Sequence, residues 1–141
     1  MVDLLKNLKE KKNDKSKNIL IAALLIHAAK IDENYTGAEK EIIKKALVDL
    51  KLVESNKSEE LLKKAEMKEQ DSNQILEFTK EIKKNSPEFR LKIIEILWKI
   101  VYSDNANDMY ESNLIRRICG LMYISDKESG KIKLNVINSI K

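Results

Sequence analysis

Two stretches of this chain align without a gap when the sequence is shifted by 72 residues: Leu25 to Ile43 lies over Leu97 to Ile115. Asp32 falls on Asp104, Thr36 on Asp108, Glu39 on Glu111 and Ile43 on Ile115. Each unit reads as an apolar helix, a short polar loop opening with Asp, and an amphipathic helix. The units span about 19–53 and 91–125. Neither can bury its apolar helix alone. Two of them, related by a pseudo-twofold, bury those helices against each other, so the repeat predicts one domain rather than two.

The rest of the chain is built from the same kind of element. Among 141 residues there are only 3 Gly and 1 Pro, too few turn-formers for an all-β fold, and aromatic residues are 5%, so the core is aliphatic. Ser16 or Asn18 opens the nearly all-apolar stretch Ile19 to Ile31, the signature of a central helix. Thr36 with Glu39 forms a capping box before Ile42, Ile43, Ala46, Leu47 and Leu50. Ser58 opens a third helix with Leu61, Leu62 and Ala65 inward, and Asp71 with Gln74 opens a fourth carrying Ile75, Phe78 and Ile82. Ser86-Pro87 marks an N-cap followed by proline at the first helical position. Asp108 with Glu111, and Ser125 with Glu128, cap two more helices. No stretch alternates with period two. With a short helix at the N-terminus, the expectation is an all-α domain of about seven helices over 19–141.

Charge and residue counts exclude several functions. The net charge of +4 sits at the ends: residues 1–18 carry +3, residues 129–141 carry +3, and the middle is −2. A nucleic-acid surface is a continuous basic face, and this pattern argues against one. Residues 1–18 read as a basic arm or a short amphipathic helix on Val2, Leu4, Leu5 and Leu8, packing on the domain or anchoring to a membrane surface or partner. They do not read as a signal peptide, and no apolar run is long enough to span a bilayer. A cytoplasmic protein is the default expectation. One Cys (Cys119) and one His (His27) allow neither an internal disulfide nor a structural zinc site. There is no phosphate loop, and no nucleophile–base pair stands out. The expectation is therefore not an enzyme. Cys119 and Trp98 fall at core-facing positions, and His27 reads as a partly exposed spacer on the apolar helix.

The doubled pattern resembles the TerB family, small helical proteins named for bacterial tellurite resistance. The second unit carries it most clearly: Leu97-Trp98, Tyr102-Ser-Asp104, Tyr110-Glu111, Leu114-Ile-Arg-Arg-Ile118, Gly120-Leu121 and Ile124-Ser-Asp126. Ile75-Leu-Glu-Phe-Thr79 and Glu88-Phe-Arg-Leu91 add to it, and the likeness covers roughly 19–130. The family usually has Gly after each Asp, where this chain has Glu33 and Asn105. Asn tolerates the left-handed conformation that Glu resists, so the first loop is the more altered. J-domains accompany TerB-like regions in some membrane co-chaperones, but the His-Pro-Asp turn of that activity is absent from this sequence.

The resemblance implies a non-enzymatic binding module in protein interaction or stress response. It also implies a divalent cation at the repeated acids, here Asp32, Glu39, Asp104, Asp108 and Glu111. Carboxylates suit Ca²⁺ or Mg²⁺. The alternative function is an ion sensor or buffer in which that binding is itself the purpose. The same acids have a purely structural explanation. Glu39 and Glu111 sit where a capping box wants Glu, and Asp32 and Asp104 lie beside positive helix ends. A twofold along the helices brings both loops to one end, within reach of one ion, and a twofold across them separates the loops. Lys44 and Lys45, repeated as Arg116 and Arg117, form basic pairs that read as a solvated face or as a docking surface for an acidic protein partner, membrane-associated or not. The pattern fits a monomer or a homodimer.

Overall fold

A computed structural model describes the backbone over residues 2–31, 35–71, 75–103 and 109–140. The described residues form seven α-helices and no strand: α1 (Val2–Lys30), α2 (Gly37–Asp49), α3 (Ser58–Asp71), α4 (Ile75–Lys83), α5 (Pro87–Val101), α6 (Met109–Leu121) and α7 (Asp126–Ile140). A 3₁₀ turn, Ser55–Lys57, leads into α3. The all-α expectation holds.

Local chemistry sets the helix starts. Before α2, Thr36 Oγ1 accepts from the Glu39 amide (3.1 Å), and Glu39 Oε1 accepts from the Thr36 amide (2.9 Å), which completes the capping box. Before α5, Ser86 Oγ accepts from the Phe89 amide (3.2 Å), and Pro87 follows as the first helical residue, where its missing N–H costs nothing. Before α7, Ser125 Oγ accepts from the Glu128 amide (3.1 Å).

Two starts differ from expectation. Neither Ser16 nor Asn18 opens a helix: α1 runs through both, because the residues ahead of them contain no proline or glycine to stop it. Instead Asn18 Nδ2 donates to the Leu52 carbonyl (2.8 Å) and ties α1 to the end of α2. Asp71 is the last residue of α3, and α4 begins at Ile75.

The repeat survives in three dimensions. The bounds of α2 and α6 are offset by 72 residues at both ends. The terminal turn of α1, Ile31 N–H to Ala28 O, has its counterpart in Ser103 N–H to Ile100 O. α1 and α5 are the central helices. α1 is buried along Ile21–Ile26 and Ala28–Ala29, and α5 along Ile93, Ile94, Ile96, Leu97, Ile100 and Val101. α2 and α3 pack on α1. α6 and α7 pack on α5, and α2 also touches α5 directly. α4 breaks the symmetry: it lies on α1, α5 and α6 and inserts Ile75, Phe78, Thr79 and Ile82 into the core. Trp98 and Cys119 are buried as expected, and Trp98 Nε1 donates to Ser129 Oγ (3.2 Å) across α5 and α7.

Candidate functional site

The five acids singled out by the repeat fall unevenly on the structure. Asp32, Asp104 and Asp108 lie outside the described residues, and Glu111 is placed in α6 by its backbone alone. The separation of the two loops is likewise outside them. Glu39 is fully buried, and its Oε1 accepts from both the Thr36 amide and the Thr36 hydroxyl (2.9 and 3.1 Å). This carboxylate holds the start of α2, which is the capping role. Among the described residues no three His, Cys, Asp or Glu side chains converge as a cation site.

Beside Glu39 the sequence hid a charged cluster. Glu69, buried on α3, accepts from Lys30 Nζ at 2.9 Å, and His27 Nδ1 lies 3.3 Å from its other oxygen. A buried carboxylate needs such partners, since an unpaired charge in the interior is strongly destabilising. Tyr35 packs next to the cluster, with Lys40 Nζ 4.9 Å and Lys30 Nζ 5.7 Å from its ring centroid. Burial first, then Glu66, Glu39, Glu59 and Glu69, push its phenol well above the usual tyrosine range. His27 is thus a half-buried partner of an acid 42 residues away, not a spacer. No local spacing could have shown that pairing. An acid at an inward position of α3, Glu69 following Leu62 and Ala65 at helical intervals, was the one available signal.

A groove of about 780 Å³ lies between α2 and α5, closed at one side by Ser139 of α7. Ile42, Ala46, Leu50 and Ile96 form its apolar floor, and Lys45, Asp49, Lys92, Glu95 and Lys99 its rim. Sequence periodicity took Ile42 and Leu50 as core. Both are half-buried and line this groove. α2 carries two adjacent apolar stripes, Ile43–Leu47 facing the core and Ile42–Ala46–Leu50 facing the groove, more than one interface needs.

The basic pairs separate in role. Lys44 Nζ is held by Glu41 (2.7 Å) and Glu59 (2.9 Å). Both carboxylates hold the Lys44 ammonium above its ordinary range, and Lys44 in turn lowers Glu59. Lys45 is exposed on the groove rim, and Arg116 and Arg117 are exposed on α6. Cys119 is buried, and desolvation pushes its thiol up, away from nucleophile chemistry.

Seven helices among the described residues, arranged in two repeated halves with polar chemistry spent on helix ends, define a small all-helical domain. The family model described as tellurite resistance protein TerB matches residues 18–134, and the chain belongs to the TerB family. No curated protein and no solved structure matches it. No helix among the described residues is long and apolar enough to cross a membrane.

Proposed function

We propose that this chain is a TerB-type binding module that works without catalysing a reaction. It engages a protein partner in a stress response of the tellurite-resistance kind, and a divalent cation, Ca²⁺ or Mg²⁺, at the Asp loops supports its shape. The observation that carries this reading is the family match over residues 18–134, which takes in both repeat units and all five acids. The commitments of the reactive side chains support a non-catalytic role: His27 faces Glu69, and Cys119 is buried with its thiol pushed up. The ion would be held by Asp32, Asp104 and Asp108, with Glu111 beside them. Glu39 organises the first loop from its capping position rather than acting as a ligand. A cytoplasmic setting fits this reading.

Thermal melting tests it. The protein is melted in chelator and then in millimolar Ca²⁺ or Mg²⁺, alongside the double variant Asp32→Asn, Asp104→Asn. An ion at about 100 times its dissociation constant adds about 2.7 kcal/mol, or several degrees of Tm in a domain of this size. The expected result is a shift in the wild type that the double variant lacks. Equal melting of both with and without ions would remove the cation from the proposal.

A further inference from the structure

We propose that the groove between α2 and α5 is where this chain takes its protein partner, and that the partner fills it with an acidic amphipathic helix. This rests on the reading of the chain as a protein-binding module, and it adds the surface and the chemistry of what is bound. The repeat shows what the groove lacks. Under the 72-residue shift α1 corresponds to α5, α2 to α6 and α3 to α7, whereas α4 falls on residues 3–11, which belong to α1. The groove stripe of α2, Ile42–Ala46–Leu50, falls on Leu114–Ile118–Met122 in the second half. Those three side chains are buried (2%, 0% and 0% exposed), while Ile42 and Leu50 are half-buried and line the groove.

α4 accounts for the difference. It packs on α6, and among the described residues no equivalent extra helix packs on α2, whose main neighbours are α1, α3, the 3₁₀ turn and α5. α4 buries Ile75, Phe78, Thr79 and Ile82, an i, i+3, i+4, i+7 face, which is the pattern of a helix laid in a groove. The segment that corresponds to α4 by sequence is no second copy of it: Asp3, Lys6, Asn7 and Glu10 stand where α4 has those four residues. The helix that completes the first half as α4 completes the second therefore comes from another protein. The lengths agree, since Ile42 and Leu50 lie about 12 Å apart along α2 and Ile75 and Ile82 about 10 Å apart along α4.

The rim sets the sign of that partner. Lys45 on α2 and Lys92 on α5 are both exposed at the groove, and among the described residues neither is paired with a carboxylate. Lys44, the neighbour of Lys45, is by contrast held by Glu41 and Glu59 of this chain. The third rim lysine, Lys99, is paired with Glu95 (3.5 Å), which leaves Asp49 as the rim acid facing Lys45 and Lys92. Two lysines against one acid, around the aliphatic floor of Ile42, Ala46, Leu50 and Ile96, fit a helix with Glu or Asp flanking its apolar face.

Fluorescence anisotropy of the full chain with a labelled, stapled peptide of about 15 residues tests this, the staple holding a helix that is marginal alone. The acidic probe carries Ile, Phe, Leu and Ile at the α4 spacing with Glu beside them. A second probe has Lys in place of Glu, and a third keeps the composition of the first but breaks the spacing. Circular dichroism checks that each protein variant folds. The expected result is saturable binding of the acidic probe, about tenfold tighter than of the other two. Lys45→Glu with Lys92→Glu inverts the preference between acidic and basic probes, whereas Arg116→Glu with Arg117→Glu on α6 leaves it unchanged. No saturable binding of the acidic probe overturns the groove assignment. If Ca²⁺ or Mg²⁺ still shifts the melting of that protein, the groove alone has failed and the proposed function stands. Binding that Lys45→Glu with Lys92→Glu does not alter, or that the α6 variant abolishes, also overturns it, by placing the partner on another surface. A wild type that sediments as a dimer and becomes a monomer on Lys45→Glu with Lys92→Glu overturns it too, by giving the groove to a second copy of the chain.

Discussion

Lys51 and Tyr123 stand 72 residues apart and share one backbone conformation, with φ of 62° at the first and 59° at the second. Among the described residues they are the non-glycine positions with positive φ. Each follows the end of its unit's second helix. Leu52 N–H donates to Leu47 O (3.0 Å) after α2, and Ile124 N–H donates to Cys119 O (2.9 Å) after α6. Lys51 N–H and Tyr123 N–H add the inner bonds, to Val48 O and Gly120 O. This is the Schellman ending, which normally takes glycine. The repeat is thus kept down to one strained residue per unit, although the side chains there are unrelated.

That strain gives the first prediction. A left-handed non-glycine residue costs roughly 1–2 kcal/mol, so Lys51→Gly should raise stability by about 1 kcal/mol in urea unfolding. Tyr123→Gly should gain less, because it gives up the Lys83 contact: Lys83 Nζ lies 4.3 Å from the Tyr123 ring centroid and donates to its hydroxyl at 2.9 Å. A loss of stability in Lys51→Gly would contradict the strain.

The capping box gives the second. Thr36→Ala removes the acceptor for the Glu39 amide and leaves a buried carboxylate short of the Thr36 hydroxyl. The expected loss is about 1 kcal/mol, while Thr36→Ser keeps both bonds and stays close to wild type. Equal melting of the Ala and Ser variants would show that the hydroxyl contributes nothing.

Glu69 gives the third. Glu69→Ala leaves Lys30 and His27 without their carboxylate on a largely buried face. A loss of about 1–3 kcal/mol is expected. The companion variant Lys30→Met should cost less, because Lys30 is the more exposed partner.

The tyrosines give the fourth. Lys83 holds the exposed Tyr123 phenol below the ordinary tyrosine range, by its hydrogen bond and its charge, whereas burial lifts Tyr35 far above it. A spectrophotometric titration of the chain's 4 tyrosines should show Tyr123 ionising early and Tyr35 only on unfolding. The folded pKa of Tyr35 lies above its unfolded value, so the folded state holds that proton longer. The stability this confers is complete below about pH 10 and is lost as pH rises further. Tyr35→Phe should flatten the alkaline fall.

Much of this fold was legible because its signals are local. Thr36 with Glu39, Ser86-Pro87 and Ser125 with Glu128 each mark a helix start within four residues, and the structure keeps all three. Ser16 and Asn18 misled for a related reason. They are N-cap residue types, but capping competes with helix continuation, and nothing before Ser16 forces a stop. Asp71 failed likewise, as an acid that ends α3 rather than starting α4. The pairing of His27 with Glu69 and the groove beside Ile42 and Leu50 depend on helices meeting far apart in sequence, which periodicity cannot register. Glu39 was found for both of its candidate roles, and burial against Thr36 favours the capping one.

The proposed function includes a divalent cation held at the two Asp loops. Amide chemical shifts followed during a Ca²⁺ or Mg²⁺ titration test it most directly, because they report each loop separately. The expected result is saturable movement of amides in 32–39 and 104–111 at millimolar ion, with the helices between them unmoved. Amides that stay fixed in both loops, or shifts that spread evenly over the acidic surface without saturating, would contradict it and leave these carboxylates as helix-end electrostatics.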